Sequence, residues 1–138
     1  MKWLDAAIML LFLLPSACKP GVPQPVPLES TDTCAFCRMA ISEPRFAAEL
    51  VDEAGEALKF DEIGCMWNFV KQHGSQRASE FVVDFDNRQW IKGEEAFYVQ
   101  SPNINTPMSS GIIAVDTQQK AGSATKKFAG KILKRHLM

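Results

Sequence analysis

Apolar residues alternate with polar or small ones at Phe46, Ala48 and Leu50 and again at Leu58 and Phe60, with Asp52-Glu53-Ala54-Gly55 between the two runs. A period of two on either side of a turn signal predicts a β-hairpin. The period then lengthens. Ile63, Met66, Trp67 and Val70 recur at helical spacing, Asp61 stands where an N-cap belongs, and Gly74 follows His73 as a C-terminal stop. Phe81-Val82-Val83-Asp84-Phe85 predicts the next strand.

The second half repeats this order. A turn at Asp86-Asn87-Arg88-Gln89 precedes a short strand at Trp90-Ile91, and two further strands, Ala96 to Val99 and Ile112 to Val115, flank a long loop. Asp116 or Thr117 caps a second helix that runs to Phe128, Gly130 ends it, and Lys131 to Arg135 form a last strand. Each half thus reads strand, strand, Asp, helix, Gly, strand, a weak internal duplication of a ββαβ unit. The expected fold class is α+β: two small ββαβ modules packed together, with antiparallel-rich sheets and one helix each, at about residues 31–86 and 87–138.

With 138 residues the chain has room for one compact domain or two very small modules sharing a core. A net charge of −1 gives no basic field overall, which argues against nucleic acid as a partner. The first residues alter the picture more. Residues 1–17 carry Lys2, an apolar run from Ala6 to Leu14 and the small pair Ser16-Ala17 before Cys18, the layout of a bacterial export signal. The ending Pro15-Ser16-Ala17-Cys18 resembles a lipobox, with Pro15 where Leu is usual, so Cys18 is the expected lipidation site. Residues 18–30 then form a proline-rich tether, with Pro20, Pro23, Pro25 and Pro27, ahead of a folded domain at 31–138.

An anchored Cys18 leaves Cys34, Cys37 and Cys65, an odd set that cannot pair wholly within itself in an oxidising compartment. Cys34-Ala-Phe-Cys37-Arg-Met39 concentrates soft donors in six positions, and thiolate with thioether selects Cu(I) over harder ions. Structural zinc wants four ligands, and only Cys65, His73 and His136 remain to complete a set. A thioredoxin-like pair follows a buried strand and opens a helix, whereas Leu28 to Thr33 is polar and loop-like; a plain Cys34–Cys37 disulfide stays open. Cys65 stands near a helix start, where the dipole should lower its pKa, and is divided between small core residue and ligand; Met66 belongs to the core. Met108 lies in a loop of Pro, Asn, Ser and Gly without apolar periodicity, which favours a ligand, while His73 and His136 read as surface residues.

Taken together, Cys18, the tether, CAFCRMAISEPRFAAELV, KFDEIGCMW, EEAFYVQS and TPMSSGIIA resemble the NosL family of nitrous oxide reductase accessory lipoproteins over residues 34–116. That resemblance implies a periplasmic, lipid-anchored Cu(I) chaperone, not an enzyme. Its expected partners are nitrous oxide reductase, for whose copper-sulfide centre it carries the ion, and the reductase's membrane assembly complex. The family motif is Cys-x-x-Cys-Gly-Met, then an Asp-containing turn before a helix, then Thr-Pro-Met-Gly. Here Cys34, Cys37, Met39 and Met108 match, but Arg38 and Ser109 replace the glycines, so the turn at Arg38 is expected to differ if the family glycine has a positive φ. Cys34, Met39 and Met108 are the preferred ligands, with Cys37 and Cys65 in reserve. The competing functional classes are a thiol-disulfide oxidoreductase or an organomercurial-lyase-like enzyme using Cys34 and Cys37, and a lipoprotein whose sulfurs are structural.

Overall fold

The computed structural model describes residues 21–75 and 77–133, so the leader, Cys18 and His136 lie outside the described residues. The protein is α+β. Strands β1 (Ala48–Val51), β2 (Ala57–Phe60), β3 (Ser79–Val83) and β4 (Trp90–Lys92) form an antiparallel sheet in the order β2-β1-β3-β4. Strands β5 (Phe97–Gln100), β6 (Ile112–Val115) and β7 (Lys131–Leu133) form a second antiparallel sheet in the order β6-β5-β7. Helix α1 (Ile63–His73) joins β2 to β3, and α2 (Gln118–Phe128) joins β6 to β7.

The duplication is therefore visible in the topology. In each unit the first strand is central, the second and third flank it, and the helix bridges the flanking pair. The strand Trp90–Lys92, which follows the midpoint of the chain, extends the first sheet by pairing with β3. Among the described residues no helix is long and apolar enough to cross a membrane.

Helix α1 buries Ile63, Cys65, Met66 and Val70 against Leu50 and Phe60 of the first sheet, with Tyr98 and Ile112 from the second half in the same cluster. Side chains of that size contribute about 1.5–3 kcal/mol each when fully buried. The second cluster, Val99, Ile113, Val115, Ala121 and Ala124, is smaller because α2 offers alanines where α1 offers Met and Val. Thr117 caps α2 by accepting from the Lys120 amide, and the helix ends at Ala129 in the left-handed region, one residue before the expected Gly130. Gly130 is needed for another reason: a Cβ there would lie 2.7 Å from the Gln100 carbonyl oxygen.

Every residue of β1 is buried, including Glu49, although alternation places Glu49 on the face away from α1. The proline-rich segment covers that face. The Val26 amide donates to Glu49 Oε2 (2.8 Å), Lys59 Nζ donates to the Pro27 carbonyl (2.8 Å), and Leu28 packs with Ile41, Ala47, Val83 and Trp90. Burial pushes the Glu49 carboxyl up, against the opposing Val26 amide.

Asp84, at the end of β3, ties the two units together. Its Oδ1 accepts from the Asp86 and Asn87 amides, and its Oδ2 accepts from the Asp116 amide and Lys120 Nζ. Asp84 also forms a parallel bridge with Ala114 of β6. Burial alone would raise its pKa, but the three amides and the Lys120 ammonium outweigh it and hold the carboxyl below its ordinary value.

Candidate metal centre

The loop from Thr33 to Ala40 is closed by an antiparallel bridge between those two residues. Within it the Cys34 amide donates to the Met39 carbonyl (2.8 Å) and the Arg38 amide to the Cys34 carbonyl (3.0 Å). Two bonds fix the loop to the rest of the fold: the Ala35 amide donates to the Lys59 carbonyl of β2 (2.8 Å), and Lys59 Nζ pairs with Asp32 at 2.6 Å. The turn brings Cys37 back over Cys34, whose Sγ accepts from the Cys37 amide at 3.5 Å.

Asp61 was expected to cap α1. It does not: the N-cap position is Glu62, which makes no side-chain cap bond, and the helix starts at Ile63. Freed from capping, Asp61 turns toward the sulfurs, with Oδ2 accepting from Cys37 Sγ at 3.3 Å and Oδ1 buried without a hydrogen-bond partner among the described residues. Cys65, in the first turn of α1, completes the group. One ligand atom from each of Cys34, Cys37, Asp61 and Cys65 lies within 4.8 Å of the others, and all three cysteines are free. Sequence reading assigned Asp61 to capping and left it out of the donor set, because an acid just before a helix is more often a cap; the signal was the Asp-containing turn before a helix in the family motif, which Asp61 matches four residues ahead of Cys65.

Cys34, Asp61 and Cys65 are buried and Cys37 is half-buried. Burial pushes the Cys37 thiol up to about 11, assisted by hydrogen bonds to Cys34 and Asp61. The Cys65 thiol is pushed up as well, chiefly by burial and then by Asp61. This corrects the expectation that the helix start would lower it: desolvation and a nearby carboxylate outweigh the dipole. Thiols held protonated are poor nucleophiles, opposite to what a redox enzyme needs.

The two methionines are placed differently. Met39 is 57% exposed and Met108 46% exposed, neither part of the core. The Met108 loop is nevertheless fixed beside α1. Its amide donates to Glu62 Oε2 (2.9 Å), and Ser110 packs so closely on Gly64 that a Cβ there would sit 2.5 Å from the Ser110 Cβ. Met66 lies in the core, as expected, and His73 is exposed, stacked on Phe69.

Arg38 and Ser109 adopt φ values of 67° and 61°. At both positions a side chain sits in the left-handed region that favours glycine. That conformation costs about 1–2 kcal/mol for a residue with a Cβ, offset in part by the greater unfolded-chain freedom of glycine. Arg38→Gly and Ser109→Gly should therefore each raise stability by about 0.5–1 kcal/mol, measured by urea unfolding of the metal-free protein; a loss at both positions would contradict the strain.

Three sulfurs and a carboxylate in one largely buried cluster make a soft, electron-rich site for a small cation. Asp61 also supplies the fourth donor that a tetrahedral Zn(II) site requires and that sequence reading had not found. The fold and this cluster define a small two-sheet protein with a candidate site for a metal ion. Residues 25–136 match the NosL family model, and the chain belongs to the NosL family. Among solved structures, the crystal structure of the copper chaperone NosL from Shewanella denitrificans superposes with a TM-score of 0.76 at 18% identity, covering 86% of this chain and 97% of that one. That likeness establishes a common fold. A comparison with proteins of curated function finds no match.

Proposed function

We propose that the protein is a copper chaperone that carries Cu(I) for the maturation of nitrous oxide reductase, without being an enzyme. The observation that carries this reading is the convergence of Cys34, Cys37 and Cys65 beside Asp61, on a chain of the NosL family. Cu(I) prefers thiolate and thioether donors and accepts two or three of them. The cysteines hold the ion from the buried side, and the exposed thioethers of Met39 and Met108 are the donors that a receiving protein can displace. A shell left open on one side suits ligand exchange. Lipidation at Cys18 keeps the carrier on the periplasmic side of a membrane, close to the assembly complex.

Loading displaces protons, because Cys37 and Cys65 are both held neutral in the empty protein. Apparent Cu(I) affinity should therefore rise with pH by up to about tenfold per unit for each proton displaced, between about pH 6 and 9. Competition titrations at several pH values check this, and an affinity independent of pH would mean that these thiols do not bind the ion.

The role itself is tested by deleting the gene and growing cells under copper limitation. The reductase should be exported and folded but short of its copper-sulfide centre, and Cys34→Ala should reproduce the defect. A full complement of copper in both strains would leave a copper binder without this task.

A further inference from the structure

Downstream of Asp116 the chain holds Lys120, Lys126, Lys127, Lys131, Lys134 and Arg135 and no further Asp or Glu. Residues 21–60 lean the other way, with seven Asp and Glu against Arg38, Arg45 and Lys59. A near-neutral total therefore hides a polarised molecule. Lys120 is committed to Asp84 and Asp116. Lys126, Lys127 and Lys131 are exposed and take part in no ion pair among the described residues. The helix dipole accounts for Lys126 and Lys127 in the last turn of α2, but Lys131 lies beyond the helix, on edge strand β7. Next to it Ile132 is 46% exposed.

This basic end is joined to the metal centre by a short chain of contacts. Lys131 pairs with Gln100 across β5 and β7, and Gln100 Nε2 donates to the Ser110 carbonyl (3.1 Å), two residues from Met108. Ser110 in turn packs on Gly64, the neighbour of Cys65. Between the basic end and the Met108 loop runs an open groove of about 410 Å³, lined by Ser109, Ser110, Ser101, Gly130 and Lys131.

We propose that the Lys126, Lys127 and Lys131 surface, with this groove, is the docking face for the protein that receives the ion, and that the receiving surface is acidic. The inference rests on the chaperone reading and adds the handover face to it. A cation-rich patch beside an exposed ligand steers an acidic partner to the one side where the thioether can be exchanged, raising the encounter rate and fixing its register. The patch-to-Met108 connection favours a protein over an anionic lipid surface, because a bilayer seated here would cover the Met108 loop.

The test is Cu(I) transfer from the loaded full-length protein to copper-free nitrous oxide reductase with its membrane assembly complex in detergent, at low and high salt. Transfer from the parent should slow at least about tenfold as salt rises, and the triple variant Lys126→Glu, Lys127→Glu, Lys131→Glu should be at least about tenfold slower than the parent at low salt. Its Cu(I) affinity and unfolding midpoint should match the parent, since these side chains are exposed. Equal rates for parent and variant would overturn the proposal and leave the chaperone role standing; no transfer from the parent would remove both. A second arm uses phosphatidylglycerol vesicles. Parent binding that the variant loses, with transfer in detergent unchanged, would assign the patch to lipid and overturn the proposal.

Discussion

Cys34→Ala should weaken Cu(I) binding by more than about 100-fold, since even partners one shell removed from a metal cost 10–100-fold when lost. Cys34 is fully buried, its Sγ accepts from the Cys37 amide, and it belongs both to the thiol cluster and to the core under α1. Alanine removes the donor but little volume, so the α+β fold should survive, with a stability loss of about 1–2 kcal/mol. Circular dichroism and competition titration on the same sample separate the two effects. An unfolded variant would make Cys34 structural, and a folded variant with parental affinity would make it irrelevant to the ion. His73→Ala is the matching control, because His73 is exposed and is not among the clustered donors.

The largest stability effect should come from Asp84. Asp84→Ala leaves the Asp86, Asn87 and Asp116 amides without their acceptor where β3 meets β6 and α2, a cost of about 3–5 kcal/mol. Asp84→Asn keeps one acceptor oxygen and should cost less. The linkage to pH has a definite sign. The folded carboxyl titrates below its ordinary value of 3.8, so its contribution is complete above that pH and disappears as the pH falls through the folded value. Urea midpoints between about pH 6 and 2.5 should converge for parent and Asp84→Asn at the acid end. A difference that stayed constant with pH would mean that the charge of Asp84 does not matter.

The order of elements and the repeated unit were legible in the sequence because each strand and helix carries its own period, and the strand orders β2-β1-β3 and β6-β5-β7 repeat that symmetry in space. Glu49 shows where alternation misleads: a polar residue at an outward position reads as solvated, yet a segment more than twenty residues away in sequence covers it. The three cysteines were recognisable as candidate donors, Cys37 and Cys65 in reserve, whereas their convergence was not, since Cys34 and Cys65 meet only when the loop seats against β2 and the start of α1. Asp61 was hidden by local logic. Its position is ideal for capping, and only the fold shows that its carboxylate is used elsewhere. Arg38 and Ser109 concealed the reverse, since neither residue type announces a positive φ that the fold imposes on both.

The central claim is that this cluster holds one Cu(I) in preference to other ions. A competition titration of the reduced protein with a chromophoric Cu(I) chelator, repeated with excess Zn(II), tests it most directly. The expected result is one Cu(I) retained per chain with Zn(II) present, and loss of that binding on Cys34→Ala or Cys37→Ala. Displacement of Cu(I) by Zn(II) under reducing conditions, or parental binding in both variants, would contradict it.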